Sequence, residues 1–325
     1  MKKITLPESS ISVPTFDPIG AYRRLYLIRR TELEIVQRYY PDPSNTRESP
    51  MRCPVHLSIG QEGVAVGVAM AVPKGSHAYS THRCHAHYLA WGGDLDRMIA
   101  ELYGKATGRS GGRAGSMHLH DESVGFMGTS AIVGSSVSLA VGDAFAAHLR
   151  GDDSRVTVAF GGDAVLETGQ FWESLNFAML HNLKVLFVIE DNGLSTATPT
   201  SKRQLRHPRF ELLPQFVLNV DYADTVYRIV QQHADGLPSV LRVLTRRFHE
   251  HVGMGRMREY TLPPLFGSGS APYPDDDPVK LAYVDAAMYL GHQRDDVLGD
   301  IEREAEWRIA EAFARAEAAE WPEAV

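Results

Sequence analysis

Gly161–Ser195 reads GGDAVLETGQFWESLNFAMLHNLKVLFVIEDNGLS, and its period changes twice. Arg155–Phe160 (RVTVAF) is a short apolar run that ends in Gly-Gly-Asp. Gly169–Leu180 then carries apolar residues at helical spacing (Phe171, Leu175, Ala178, Met179), and Lys184–Ile189 is a second apolar run. The order strand, turn, helix, strand predicts a parallel pair in an open α/β sheet. The carboxyl ends of such strands form the ligand crevice, so Asp163 and Asn192 should converge there. Mg²⁺ takes oxygen ligands in near-octahedral geometry and keeps phosphate oxygens among them. One carboxylate, one amide oxygen and a backbone carbonyl just after Asn192 would hold a metal diphosphate.

An ordinary nucleotide-binding strand–turn–helix offers the same Gly-Asp, and the longer run argues against it. The stretch resembles the thiamine-diphosphate motif that begins Gly-Asp-Gly and ends Asn-Asn. More narrowly, GQFWESLNFAMLHNLKVLFVIEDN looks like the α subunit of the first component of 2-oxo acid dehydrogenases, the acetoin dehydrogenase type included. The resemblance implies the thiamine-diphosphate-binding fold, a parallel sheet flanked by helices. It assigns Mg²⁺ to Asp163 and Asn192 through side chains and to Leu194 through its carbonyl, with Gly162, Ala164 and Val165 beside the cofactor. Two departures stand out: Ala164 replaces a glycine and demands a less permissive turn, and Asp191 replaces the first Asn of the pair.

Two further clusters fit the same family. Tyr79–His87 (YSTHRCHAH) crowds three imidazoles and a guanidinium into a short span. Zinc would need additional ligands at suitable spacing, whereas the planar fork of Arg binds phosphate bidentately. By resemblance, Arg83 grips the terminal phosphate, His82 donates to the same group, His85 faces the reacting end and His87 is structural. Arg246–Gly253 (RRFHEHVG) follows a predicted strand, Ser239–Leu244. Here the family assigns Arg247 to the diphosphate and His251 to the substrate, where an imidazole transfers protons or stabilises negative charge. Between the clusters, Ala100–His118 matches a glycine-rich family signature, Ile132 is expected to pack on the cofactor rings, and Val133 to offer a backbone hydrogen bond.

The remaining chain sets boundaries. Residues 1–16 read as an arm, residues 17–260 as the diphosphate-type domain, and residues 261–325 as a loop and a helical C-terminal tail. Asp17-Pro18 opens a helix to about Tyr40 whose Leu25, Ile28, Leu33 and Val36 should be core. Ile301, Ala305, Ile309, Phe313 and Ala316 recur at helical spacing in the tail. A net charge of −7 disfavours a nucleic-acid binder. Two cysteines, no signal-like start and no long apolar stretch point to the cytoplasm and away from a membrane.

The family's activating glutamate lies on a separate β chain, so the resemblance implies an α₂β₂ assembly. It would decarboxylate a 2-oxo acid, or cleave acetoin, and pass the acyl group to the lipoyl arm of an acyltransferase. The alternative is a transketolase-like or acyloin-forming carboligase subunit using an aldehyde or ketone acceptor. A non-catalytic subunit would follow only if Ala164 and Asp191 abolished cofactor binding.

Overall fold

The computed structural model describes residues 15–39, 49–204, 215–218, 222–233, 236–253, 282 and 286–323, the short run 215–218 as backbone. Nearly all of the arm and the crossing loop between Leu262 and Pro278 lie outside the described residues. Two helices open the chain, α1 (Pro18–Tyr39) and α2 (Glu62–Ala71). Then come β1 (His77–Thr81), α3 (His85–Ala90), α4 (Leu95–Leu102), β2 (Phe126–Ser130) and α5 (Ser135–Leu149). The stretch that decides the fold supplies β3 (Thr157–Gly162), α6 (Gly169–Leu180) and β4 (Val185–Asp191), which meet the expected runs. A small hairpin, β5 (Leu194–Ser195) and β6 (Thr198–Pro199), leads into α7 (Thr200–Arg203). The chain continues through β7 (Gln215–Leu218), α8 (Ala223–Gln232) and β8 (Ser239–Leu244) to α9 (Arg294–Ala318).

Six strands form one sheet in the order β2-β1-β3-β4-β8-β7, every pair parallel. An all-parallel sheet must be covered on both faces, and the side chains of β3 and β4 divide accordingly. Val158, Phe160, Leu186 and Val188 join the core built with α1, α2, α8 and α9. Ala159, Val185, Phe187 and Ile189 join a second core under α5 and α6. The two-residue alternation thus assigns each side chain to a face. On the first face α2 approaches α8 so closely that a Cβ on Gly67 would lie 2.6 Å from the Ala223 carbonyl oxygen.

Of the expected α1 stripe, Leu25 and Ile28 are fully buried, while Leu33 and Val36 only flank the core. In the tail, Ile301, Ala305, Ile309, Phe313 and Ala316 are all buried, and α9 packs against α1 and α4. β1 and β3 lead to neighbours on opposite sides, so the strand order reverses between them. The crevice opens at that reversal, beyond their carboxyl ends. At the opposite, amino ends, Asp143 on α5 accepts hydrogen bonds from Arg155 (2.8 Å) and Thr157 (3.0 Å) and meets His77 Nδ1 at 2.9 Å.

Candidate active site

Five strands each deliver a functional segment just past their last residue. His82 and Arg83 follow β1, Ala131–Val133 follow β2, Gly162–Val165 end and follow β3, Asn192 and Leu194 follow β4, and Arg247 and His251 follow β8. Together with His56 and Gln61 from the segment entering α2, they line a single cleft of about 210 Å³. Every sequence-predicted site residue except His85 reaches it.

At one corner of the cleft stands the donor set for a hard cation. Asp163 is buried, and burial together with the nearby Asp191 carboxylate pushes its pKa above the ordinary value. Thr200 Oγ1 donates to its Oδ2 at 3.1 Å, and the guanidinium of Arg203 makes an ion pair with the same oxygen. Arg203 also pairs with Glu167, and Gln204 Nε2 donates to the Asp163 carbonyl at 3.1 Å. A cationic side chain therefore stands against the carboxylate that was expected to bind Mg²⁺. The Asn192 amide lies beside it, accepting from Leu194 N–H at 3.2 Å and donating to Gln61 Oε1 at 3.3 Å. One carboxylate, one amide oxygen and a backbone carbonyl fit a magnesium diphosphate chemically.

Both departures from the family motif have local explanations. Ala164 lies in a 3₁₀ turn spanning Asp163–Glu167 and is not among the described residues with positive φ, so no glycine is required there. Asp191 is already committed. Its Oδ1 accepts from Gly193 N–H at 2.8 Å and its Oδ2 from Arg242 Nε at 2.9 Å, which shapes the turn that aims Asn192.

The opposite wall is cationic and aromatic. Arg83 is fully enclosed and donates to the carbonyls of Leu57 (2.5 Å) and His251 (3.1 Å). Arg247 donates to the carbonyls of His249 (3.0 Å) and Thr196 (3.1 Å). Thr196 is held at φ 53°, a left-handed conformation uncommon for Thr, at the tip of the β5–β6 hairpin. Burial and then the neighbouring guanidinium groups depress His251 to about 4, so the imidazole is neutral at neutral pH. Ile132 and Val133 stand exposed at the rim, 70% and 43% accessible, an apolar edge with nothing described above it.

His85 is placed elsewhere. It is fully buried, with Nδ1 3.1 Å from Glu32 Oε1 and Nε2 2.8 Å from Ser116 Oγ, and it does not line the cleft. The reason is local: β1 ends at Thr81, and the chain turns into α3 at His85, whose side chains all point into the core. Glu32 also accepts Ser58 N–H at 2.8 Å, so the Glu32–His85 pair fixes the segment that presents His56 to the cleft. His87 is buried as expected, 2.8 Å from Ser80 Oγ and stacked on Phe160.

Several lining residues carried no assignment in the sequence, among them His56, Gln61, Glu190 and Thr196. His56 and Gln61 belong to His56–Glu62 (HLSIGQE), which resembles the His-Leu-x-x-Gly-Gln-Glu with which the same family begins its domain, and that resemblance is their only signal. In the glycine-rich signature the backbone converges on one side chain. Buried Glu101 accepts the N–H groups of Ser110, Gly112, Ala114 and Gly115 at 2.8–3.0 Å, and Gly112 and Gly115 take positive φ so that these N–H groups converge.

Residues 24–211 match the family described as dehydrogenase E1 component. The α subunit of acetoin:2,6-dichlorophenolindophenol oxidoreductase from Bacillus subtilis (strain 168) is 47% identical over 145 residues, 45% of this chain and 43% of that relative. The aligned part therefore spans less than half of that protein's length. The pyruvate dehydrogenase E1 component subunit alpha of Rhizobium meliloti (strain 1021) is 35% identical over 247 residues, 72% of this chain and 68% of the relative. The mitochondrial pyruvate dehydrogenase E1 component subunit alpha of Pisum sativum is 33% identical over 254 residues, 75% and 62% of the two chains.

Proposed function

Because the chain belongs to the dehydrogenase E1 component family, whose enzymes depend on thiamine diphosphate and a divalent ion, we propose that it is the diphosphate-holding α subunit of such an enzyme. Its reaction is decarboxylation of a 2-oxo acid or cleavage of acetoin, with the acyl group passed to a lipoyl arm. The observation that carries this reading is the corner of Asp163, Asn192 and Leu194, where Arg203 already supplies the cationic charge.

Thiamine diphosphate, when bound, supplies the carbon nucleophile and the electron sink that 2-oxo acid cleavage requires. The work of this chain is anchoring and polarity. Asp163, Asn192 and the Leu194 carbonyl would hold the metal, and Arg83 and Arg247, which line the same cleft, would supply charge-assisted donors to the diphosphate. Burial is the first cause of the low His251 basicity and the two guanidinium groups the second, so an anion against them would offset the second part and raise the imidazole's basicity. His251 then has the range to donate to the developing negative charge at the substrate and to exchange a proton there. His82 lies in the same wall, and His85 acts through Glu32 and Ser116 as a positioning residue.

A 210 Å³ cleft falls below the range of about 300–1,000 Å³ usual for enclosed small-molecule sites. The apolar rim of Ile132 and Val133 needs a second surface. Both features support an α₂β₂ assembly in which a β chain closes the cleft and brings the activating glutamate. Among the described residues no helix is long and apolar enough to cross a membrane, and we assign the assembly to the cytoplasm.

The test is co-purification of the tagged chain from its own host. A second chain of similar size, arriving with thiamine diphosphate and Mg²⁺, is expected, and Asp163→Ala should release the cofactor while the chain pair persists. A lone chain that takes no thiamine diphosphate at saturating cofactor and Mg²⁺ overturns the proposal.

A further inference from the structure

Three imidazoles from three separate segments meet inside the cleft. His56 precedes α2, His82 follows β1 and His251 follows β8. Their ring centroids are 4.6, 5.1 and 5.2 Å apart with the planes steeply crossed, 60–81°. One ring nitrogen from each lies within 4.8 Å of the other two. His56 is only 5% exposed, and its Nδ1 is buried without a hydrogen-bond partner. An enclosed ring nitrogen left unsatisfied beside two others is unusual, because buried polar atoms are nearly always paired. These contacts bury the three rings together without joining them by hydrogen bonds.

We infer that His56, His82 and His251 form a three-nitrogen site for a borderline transition-metal dication of the zinc class, separate from the oxygen-ligand corner at Asp163. Three histidines with the fourth position open make a familiar zinc donor set. A tetrahedral ion with Zn–N bonds of about 2.0–2.1 Å spaces its nitrogens by roughly 3.3 Å. The three nitrogens, now within 4.8 Å of one another, would draw together on loading. The protonation state suits the ion, since all three imidazoles are held below their ordinary basicity. His56 lies at about 2, His82 at about 3 and His251 at about 4, in each case first through burial. Imidazole selects the zinc class over Mg²⁺, which prefers oxygen. Arg83 and Arg247 oppose a dication here, so affinity should rise when an anion neutralises them.

The site is independent of the proposed reaction, because three imidazoles bind such an ion whether or not the cleft accepts a diphosphate. If the chain does work as proposed, occupancy places a metal at the reacting end and inhibits turnover. It also adds a staple to three loops already joined by Arg83, which donates to the Leu57 and His251 carbonyls, and by Gly253 N–H, which donates to the Val55 carbonyl.

The experiment uses the full chain stripped of metal and cofactor, titrated with Co²⁺ as a spectroscopic probe. The expected result is a visible band of tetrahedral intensity that saturates near one ion per chain and disappears on adding Zn²⁺, with Mg²⁺ in excess leaving it intact. His56→Asn and His82→Asn should each weaken binding roughly tenfold or more, and Asp163→Asn should leave the band unchanged. Zn²⁺ should also raise the Tm of the parent chain and of Asp163→Asn, and not that of the two histidine variants. Should one histidine variant fail to fold, the other and the Asp163→Asn control still decide. A weak octahedral spectrum, a band lost in Asp163→Asn, or a band retained in a folded histidine variant would overturn the inference.

Discussion

Asp163 is a buried carboxylate beside another carboxylate, and in this conformation Arg203 provides the opposing charge. A metal bound as proposed would compete with the guanidinium for the same oxygen. A hydrogen-bonded ion pair of this kind contributes about 1.5–3 kcal/mol, which amounts to roughly tenfold or more in an affinity that must displace it. Arg203→Gln is accordingly expected to tighten Mn²⁺ binding about tenfold in the presence of thiamine diphosphate, read by electron paramagnetic resonance. Equal or weaker binding in the variant would show that the arginine assists the metal. The histidines teach a related lesson. YSTHRCHAH announces ligand chemistry, yet residue type alone does not say which imidazoles face the cleft. The strand ends at Thr81, so His82 and Arg83 are presented to the cleft and His85 is drawn into the core. His56 was harder to read because it belongs to no cluster in the sequence and gains its neighbours only from folding.

At the scale of elements, runs with a clear period were legible. α6 and β8 begin and end where their patterns do, and α9 contains every periodic residue of the tail. β1 and β2 were not. His77–Thr81 and Phe126–Ser130 are short and rich in polar or small residues, and they become strands by pairing with each other and with β3. The loop after α4 depends on one side chain that looks like a solvated helix charge. Glu101→Gln removes the negative charge and one of two oxygens that together accept four N–H groups, and should destabilise the fold by roughly 3 kcal/mol in urea titration. A change below about 0.5 kcal/mol would mean that the loop holds itself.

The clamp at the amino ends of β1 and β3 gives a pH signature. Burial alone would raise the Asp143 carboxyl, but hydrogen bonds from Arg155 and the charge of His77 bring it below its ordinary 3.8. The unfolded chain therefore holds this proton more tightly. The stabilisation is complete above about pH 3.8 and is lost as pH falls through the folded value. Asp143→Asn should lower Tm at neutral pH and flatten the loss of Tm on acidification. Parallel acid limbs for the two proteins would remove Asp143 from the account.

Across the whole molecule, the clamp and the cleft occupy opposite ends of the same strands. Fold class was readable because an all-parallel sheet has a distinctive run pattern, and the ligand edge followed from the order of its strands. The depth of the cleft was not readable, since it depends on how five separate turns approach one another.

The ion pair between Arg203 and Asp163 also bears on the life of the newly made subunit. In this conformation the buried carboxylate is charge-balanced from within, before the cofactor of the proposed function arrives. Loading becomes an exchange of one cation for another and ceases to be a condition for folding. If the proposed function holds, cells starved of thiamine should accumulate intact, protease-resistant chains that recover activity on resupply without new protein synthesis.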